Sequence, residues 1–152
     1  MRQTHTPGQK MFVDFCGATV PVLDASSKTF GKAQIFVAVL GARNYTFAYA
    51  VPSQRIPVWL ECHVKALQFF GGIPAQFVPD NLKSAIISNS RDSLVINSSY
   101  ADLAKHYDVV INPARPRKPK DKAKAEVGVQ IVQRWVLAPM RNQVFTSIDE
   151  LN

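Results

Sequence analysis

Lys10-Met11-Phe12-Val13-Asp14-Phe15-Cys16-Gly17 is an apolar run with one carboxylate inside it. Met11, Val13 and Phe15 alternate with Phe12, Asp14 and Cys16, so both sides of an extended chain here are largely apolar. That pattern predicts a central strand covered on both faces. Asp14 is the exception, because a carboxylate in a buried strand costs several kcal/mol unless it is paired or metal-bound.

Working outward, the chain reads as β-β-β-α-β-α-β-α. Thr19 to Leu23 is a second short strand, and Asp24-Ala-Ser-Ser-Lys28 is a turn whose side chains bond their own backbone. Ala33 to Leu40 is a third strand, with Tyr45 to Val51 extending it past a kink at Gly41. Ser53 is positioned to cap a helix from about Ile56 to Phe70, with Pro57 in the first turn and Gly71-Gly72 as the stop. Ala75 to Val78 is a fourth strand ended by Pro79, and Asp80 and Asn81 follow directly. Ala85 to Asn97 reads as a small hairpin or irregular excursion. Ser98 or Ser99 caps a helix to about His106, and Val109 to Ile111 is a fifth strand. Pro113, Pro116 and Pro119 exclude helix and central strand from residues 112–120. A last helix runs from about Asp121 to Leu137, with Ala125, Val129, Val132 and Val136 on one stripe and Trp135 assigned, like Trp59, to the core. The expectation is a single α/β domain over residues 1–152. Its five-stranded mixed sheet, three antiparallel strands then two parallel, is flanked by helices.

The 152 residues are 47% hydrophobic, enough for a core, and Lys plus Arg exceed Asp plus Glu by 18 − 11 = +7. Such a surplus favours a polyanionic partner. Cys16 and Cys62 are far apart and form no Cys-x-x-Cys pair, which argues against a disulfide scaffold and a zinc ribbon. No apolar run approaches the ~18 residues that span a bilayer, and Met1 to Lys10 lacks the apolar stretch of a signal peptide. A soluble intracellular protein without a membrane partner is expected. The segment before Leu151-Asn152 reads like the start of another element, so a fragment of a longer chain is expected as well.

Three carboxylates stand out by position: Asp14 in the first strand, Asp80 at the end of the fourth, and Glu126 in the first turns of the last helix. If strands one and four are neighbours, Asp14 and Asp80 meet, and a helix packed beside them delivers Glu126. The three are then expected to converge, with carboxyl oxygens close enough to share metals. Carboxylate oxygens suit Mg²⁺ or Mn²⁺, and two such ions clamp the attacking and leaving oxygens of an in-line phosphoryl displacement. Aspartates after strands and glutamates on helices are common, so position alone does not single these three out.

The flanking residues do more. Pro7-Gly-Gln-Lys-Met-Phe-Val-Asp-Phe-Cys-Gly17 resembles the opening of the catalytic core in insertion-sequence transposases of the IstA type. Gly71-Gly-Ile-Pro-Ala-Gln-Phe-Val-Pro-Asp-Asn-Leu-Lys83 resembles their second acidic motif, and Ala114-Arg-Pro-Arg-Lys-Pro-Lys-Asp-Lys-Ala-Lys-Ala-Glu126 the third. The resemblance covers roughly residues 7–150. It implies the ribonuclease-H-like fold of the retroviral-integrase-like superfamily and an acidic triad at Asp14, Asp80 and Glu126. It further implies Mg²⁺- or Mn²⁺-dependent cleavage at transposon ends and joining of the freed 3′-hydroxyl to target DNA. A bacterial, cytoplasmic, nucleoid-associated setting, a homo-oligomer in the active complex, an upstream helix-turn-helix module and an ATPase partner of the IstB type come with it. Two departures stand beside these. The spacing of 126 − 80 = 46 exceeds that of retroviral integrases, and Gln130 and Gln133 occupy places where those enzymes carry lysines.

Arg115, Arg117, Lys118, Lys120, Lys122 and Lys124 form the densest charge run, immediately before Glu126. Guanidinium forks suit phosphates, so this run is the candidate DNA contact, with Asn81 and Lys83 beside Asp80 as further candidates. Two alternatives stay open. A ribonuclease-H-type nuclease would draw a further carboxylate from the first helix, where Glu61 is the candidate. A catalytically silent DNA-binding or oligomerisation module would be free to lose any of the three acids.

Overall fold

Strand β1 (Lys10–Phe15) takes the central place that its double-sided apolar pattern requires. In the computed structural model, which describes residues 7–80, 82, 85–90, 93–115 and 119–152 (of 119–122 the backbone only), β1 is flanked on both sides. It runs antiparallel to β3 (Thr29–Leu40), Met11 opposite Leu40 and Phe15 opposite Phe36. On its other edge it runs parallel to β5 (Gln76–Pro79), Lys10 abreast of Gln76 and Val13 of Pro79. Beyond these lie β4 (Thr46–Val51), antiparallel to β3, and β8 (Val110–Ile111), parallel to β5. β2 (Val20–Asp24) pairs with the first half of β3.

The sheet thus has six strands where five were expected, and the antiparallel meander is divided differently. β1 and β2 are successive parts of one arm lying against β3. Between the pairs Phe15–Phe36 and Val20–Ala33 one side advances five residues and the other three, an interruption of the bulge kind that bends the arm. The third member of the meander is β4. Gly41 does not merely kink β3: residues 41–45 reverse the chain, with Asn44 in the left-handed region at φ 53° and its N–H donating to the Leu40 carbonyl. A short Asn-containing turn and a kink leave the same local signature, and only the register distinguishes them. Residues 86–96 form a separate hairpin, β6 (Ile86–Asn89) with β7 (Leu94–Ile96).

Alternation along β1 separates two cores. Met11, Val13 and Phe15 pack with α1 (Ile56–Phe70) and α2 (Ser98–Tyr107), while Phe12 and Cys16 join Val37 and Val39 under α3 (Pro119–Val132). α1 starts after Arg55 without a side-chain cap; Ser53 accepts a 3.3 Å bond from the Arg55 N–H instead of capping the helix itself. It ends at Gly71 in the left-handed conformation, φ 69°. α2 is capped by Asn97, whose side chain accepts from the N–H groups of Ser99 and Tyr100, one residue ahead of the serines expected there. α3 runs on into a π-helical turn, Gln133–Leu137, on which Trp135 is 73% exposed and not in the core; a short α4 (Ile148–Leu151) follows. On this wide turn Trp135 and Val136 are exposed while Leu137 still packs against the core under α3. No helix among the described residues is long and apolar enough to cross a membrane.

The core under α1 holds a histidine, His63, fully buried among Trp59, Phe36, Phe77 and Tyr100. Its Nδ1 lies 2.8 Å from the Trp59 carbonyl, which can only accept, so Nδ1 carries the proton and Nε2 accepts from the Tyr100 hydroxyl at 2.9 Å. Burial lowers the His63 pKa from 6.5 to about 4. The unfolded chain therefore binds a proton between those values that the folded chain refuses. Stability from this site is complete above pH 6.5 and is lost as the pH falls towards 4, on the order of 3 kcal/mol. Urea unfolding midpoints should fall between pH 7 and pH 4.5. His63→Gln, which does not titrate, should be less stable at pH 7 and show a flatter dependence across this window; an equal slope in both proteins would assign the acid sensitivity elsewhere.

Candidate functional site

Parallel pairing of β1 with β5 brings the first two acids together. The register that sets Val13 beside Pro79 continues by one step, with the Asp80 N–H donating to the Val13 carbonyl at 3.3 Å, so Asp80 stands abreast of Asp14 at the carboxyl end of β5. Both are half-buried. One Asp14 oxygen accepts from the Phe15 N–H at 2.8 Å. The β5–β8 pairing likewise extends past the strands: the Ala114 N–H donates to the Pro79 carbonyl at 2.9 Å, which sets Ala114 next to Asp80. Over this corner lies α3, with Ala125 buried against the sheet and Glu126 exposed beside it.

Asp14, Asp80 and Glu126 line one cavity of about 100 Å³, walled by Phe12, Val78, Ala114 and Ala125. Three acids spread over the chain thus reach one place from β1, the end of β5 and α3. They do not close into a chelating set. Among the described residues no group of three or more His, Cys, Asp or Glu is placed to hold a metal ion, so the expected sharing distance is not met. Like charges on neighbouring strands repel, Asp14 is turned onto the Phe15 N–H, and Glu126 is a long side chain at the surface. The donor set nevertheless fits a hard divalent cation in kind, three carboxylates round one small cavity.

Cys16, on the same face as Asp14, is not a competing ligand or nucleophile. Burial and then the Asp14 carboxylate push its pKa up to about 11, which keeps the thiol protonated. Glu61 lies on α1, which packs against the opposite face of the sheet, and it is not among the residues lining the cavity. The extra carboxylate of the nuclease alternative is therefore not supplied from there.

The basic candidates divide. Arg115 is exposed and lines a second cavity next to the acidic one. Lys124 is half-buried and donates from Nζ to Asn44 Oδ1 at 2.7 Å, fastening the start of α3 to the β3–β4 turn. Asn81, Lys83, Arg117 and Lys118 lie outside the described residues. Lys120 and Lys122 fall on the first turn of α3, where only the backbone is described.

Two contributors were missed in the sequence. Asn89 of the β6–β7 hairpin donates from Nδ2 to the Ala114 carbonyl at 3.2 Å, so the excursion at residues 85–97 buttresses the wall behind Asp80. Gly128 lies where α3 meets β3. A Cβ there would overlap the Val39 side chain and press on Val37 at 3.3 Å. Both valines are buried and β-branched, with no room to turn aside. The absent side chain thus lets the helix approach closely enough to bring Glu126 over the sheet.

Comparison with known proteins follows the same lines. The model for the integrase core domain matches residues 4–119. A transposase for insertion sequence IS408 of Burkholderia multivorans is 49% identical over the whole chain, which spans 29% of that relative. The transposase for insertion sequence element IS21 of Pseudomonas aeruginosa is 29% identical over 120 residues, 78% of the chain and 31% of the relative. The chain spans about three tenths of the length of the curated relatives it matches. Among solved structures, the HTLV-2 integrase catalytic core domain in complex with magnesium superposes with a TM-score of 0.64 at 10% identity, covering 95% of this chain and 81% of that one. That likeness shows the ribonuclease-H-like fold.

Gly128→Ala should lower stability by about 1–3 kcal/mol, the usual range for overpacking, read as a shift in the urea midpoint. Val39→Ala opens the space the new methyl needs. The double variant should lose less than the two single losses added together, and strict additivity would mean that the close helix–sheet approach is not what Gly128 provides.

Proposed function

The chain belongs to the integrase core domain family, and from that premise we propose that it is the catalytic core of a longer insertion-sequence transposase of the IstA type. In this reading it cleaves phosphodiesters at transposon ends and joins the freed 3′-hydroxyls to target DNA. The observation that carries it is the single cavity lined by Asp14, Asp80 and Glu126. Kinship with the IS21 transposase supports the IstA assignment, though at lower identity than to the IS408 relative.

Asp14, Asp80 and Glu126 would hold Mg²⁺ or Mn²⁺, two ions in the active complex; divalent ions there supply the Lewis acidity that in-line displacement at phosphorus requires. The rest is done by the chain. β1 and β5 hold two carboxylates side by side on rigid backbone, while α3 carries the third on a side chain free to turn inward. Arg115, which lines the neighbouring cavity, and the basic run that follows it in the sequence through Lys124 would contact the DNA backbone, with Asn81 and Lys83 as further contacts. The magnesium complex of the HTLV-2 core domain supports the choice of metal. DNA ends and target DNA are the substrates, and a homo-oligomer and an IstB-type ATPase are the partners. The setting is the bacterial cytoplasm, at the nucleoid.

In the longer transposase, Asp14→Asn, Asp80→Asn and Glu126→Gln should each abolish strand transfer while leaving binding of end-containing duplex nearly intact. On the isolated chain, calorimetric titration with Mn²⁺ should show uptake that each substitution weakens. Retained transfer by any one variant would remove that residue from the triad.

Neutralising Arg115, Arg117, Lys118 and Lys120 together should weaken duplex binding and flatten its salt dependence, by about 0.9 in the log–log slope for each phosphate that the run ceases to neutralise. Metal uptake should persist. An unchanged slope would mean that the run is only a solvated loop.

A further inference from the structure

We propose that the cavity next to the acidic one seats a backbone phosphate of the DNA strand being cut, held by Lys10 and Arg115. This rests on the transposase reading above and adds a binding site to it. The second cavity, about 230 Å³, shares Phe12, Val78 and Ala114 with the acidic one, so the two lie side by side as neighbouring parts of a cleft on the α3 face of the sheet. Its polar rim is made by Lys10, Asn112 and Arg115. One end of the cleft is anionic and the other cationic.

The placement follows from strand geometry. Lys10, Phe12 and Asp14 alternate onto one face of β1, so the lysine and the first acid point the same way about 13 Å apart along the strand. Lys10 is half-buried at the start of a strand whose next three residues are almost wholly buried. Half-burial of the residue narrows the directions its stem can take, compared with a lysine on an open surface, while the charged head keeps to water. Arg115 follows the segment that the Ala114 N–H pins to Pro79, so its backbone is anchored to the same sheet. Asn112 is held at the rim by its Nδ2 bond to Gln76 Oε1, 3.2 Å.

A nucleic-acid strand that enters three carboxylates is repelled by them along its flanks. A pair of cations one cavity further on attracts the neighbouring part of the same strand and fixes its direction across the sheet. Lys10 and Arg115 are positioning residues in this account, since they hold an unreactive phosphate and touch no reacting atom.

The test uses the full-length transposase and end-containing duplexes carrying a single uncharged methylphosphonate at successive positions around the cleavage point. Binding is measured in EDTA, so the readout does not depend on bound metal. In the parent, one methylphosphonate close to the scissile phosphate should weaken binding. Lys10→Met keeps the aliphatic stem, and Arg115→Ala changes an exposed side chain, so both should fold with unchanged melting temperatures. Each should bind unmodified duplex more weakly, show a salt slope shallower by about 0.9, and be indifferent to the methylphosphonate that harms the parent. Lys10→Arg should restore the sensitivity. Additive losses at every position, or parental affinity in Lys10→Met, would overturn the site while leaving the transposase reading in place. A parent that binds no end duplex at all would overturn that reading and this site with it.

Discussion

The parallel pairing of β1 with β5 is the constraint on which the rest depends. It sets Asp14 and Asp80 side by side although their charges oppose it. Side chains alone would not keep such an arrangement, since like charges on adjacent strands destabilise a sheet. Main-chain hydrogen bonds hold the register, and the apolar residues on the reverse of the same strands, Met11, Val13 and Phe77, lock it from beneath. A one-residue slip would turn the aspartate under α1 and put the apolar set in its place. The core thus fixes the carboxylates, and their electrostatic cost is carried by packing on the other face.

The two faces are built differently. Beneath the sheet, Phe15, Phe36, Trp59, His63, Phe77 and Tyr100 interlock edge to face and through the His63 bonds. Above it, α3 rests on small and β-branched residues, with Ala125, Gly128 and Val132 meeting the sheet, and it loosens into a π-helical turn that leaves Trp135 outside. Two acids come from the sheet itself, whose reverse the dense layer backs, and the third comes from the lighter layer above. Glu126 is accordingly the member with room to adjust, and Gly128 and the Lys124–Asn44 bond limit how far its helix strays.

Asp14 was legible in the sequence because one charge interrupts a run that is apolar on both sides, and Asp80 because Pro79 ends the strand just before it. Glu126 was proposed from its position in the first turns of the last helix, but several polar residues share that helix, and the flanking resemblance is what set it apart from them. α1 was read within its observed bounds because Pro57 and Gly71 mark both ends. β4 was misread because a turn and a kink at Gly41 differ in pairing and not in composition. Lys10, Asn89 and Gly128 escaped for the same reason. Each matters through a partner at least 25 residues away (Asn89 and Ala114 the nearest pair), and local pattern carries no record of such partners. Trp135 was assigned to the core as a large aromatic on a helix, but it lies on the π-helical turn at residues 133–137 and is exposed.

The route by which the sheet forms has its own consequence. β1 waits for a strand 66 residues further on, Lys10 beside Gln76, and β5 waits for Val110. Pairings of such long sequence separation close slowly, since loop entropy is spent before they are rewarded. A chain emerging from the ribosome can complete the β1–β4 meander early, but it lacks the second acid until β5 docks and the third until α3 has been made. The acidic corner therefore comes into being only after the antiparallel strands, β5 and α3 have all been made. A nascent or truncated chain ending before residue 126 has every strand of the antiparallel half but cannot complete the three-acid cavity.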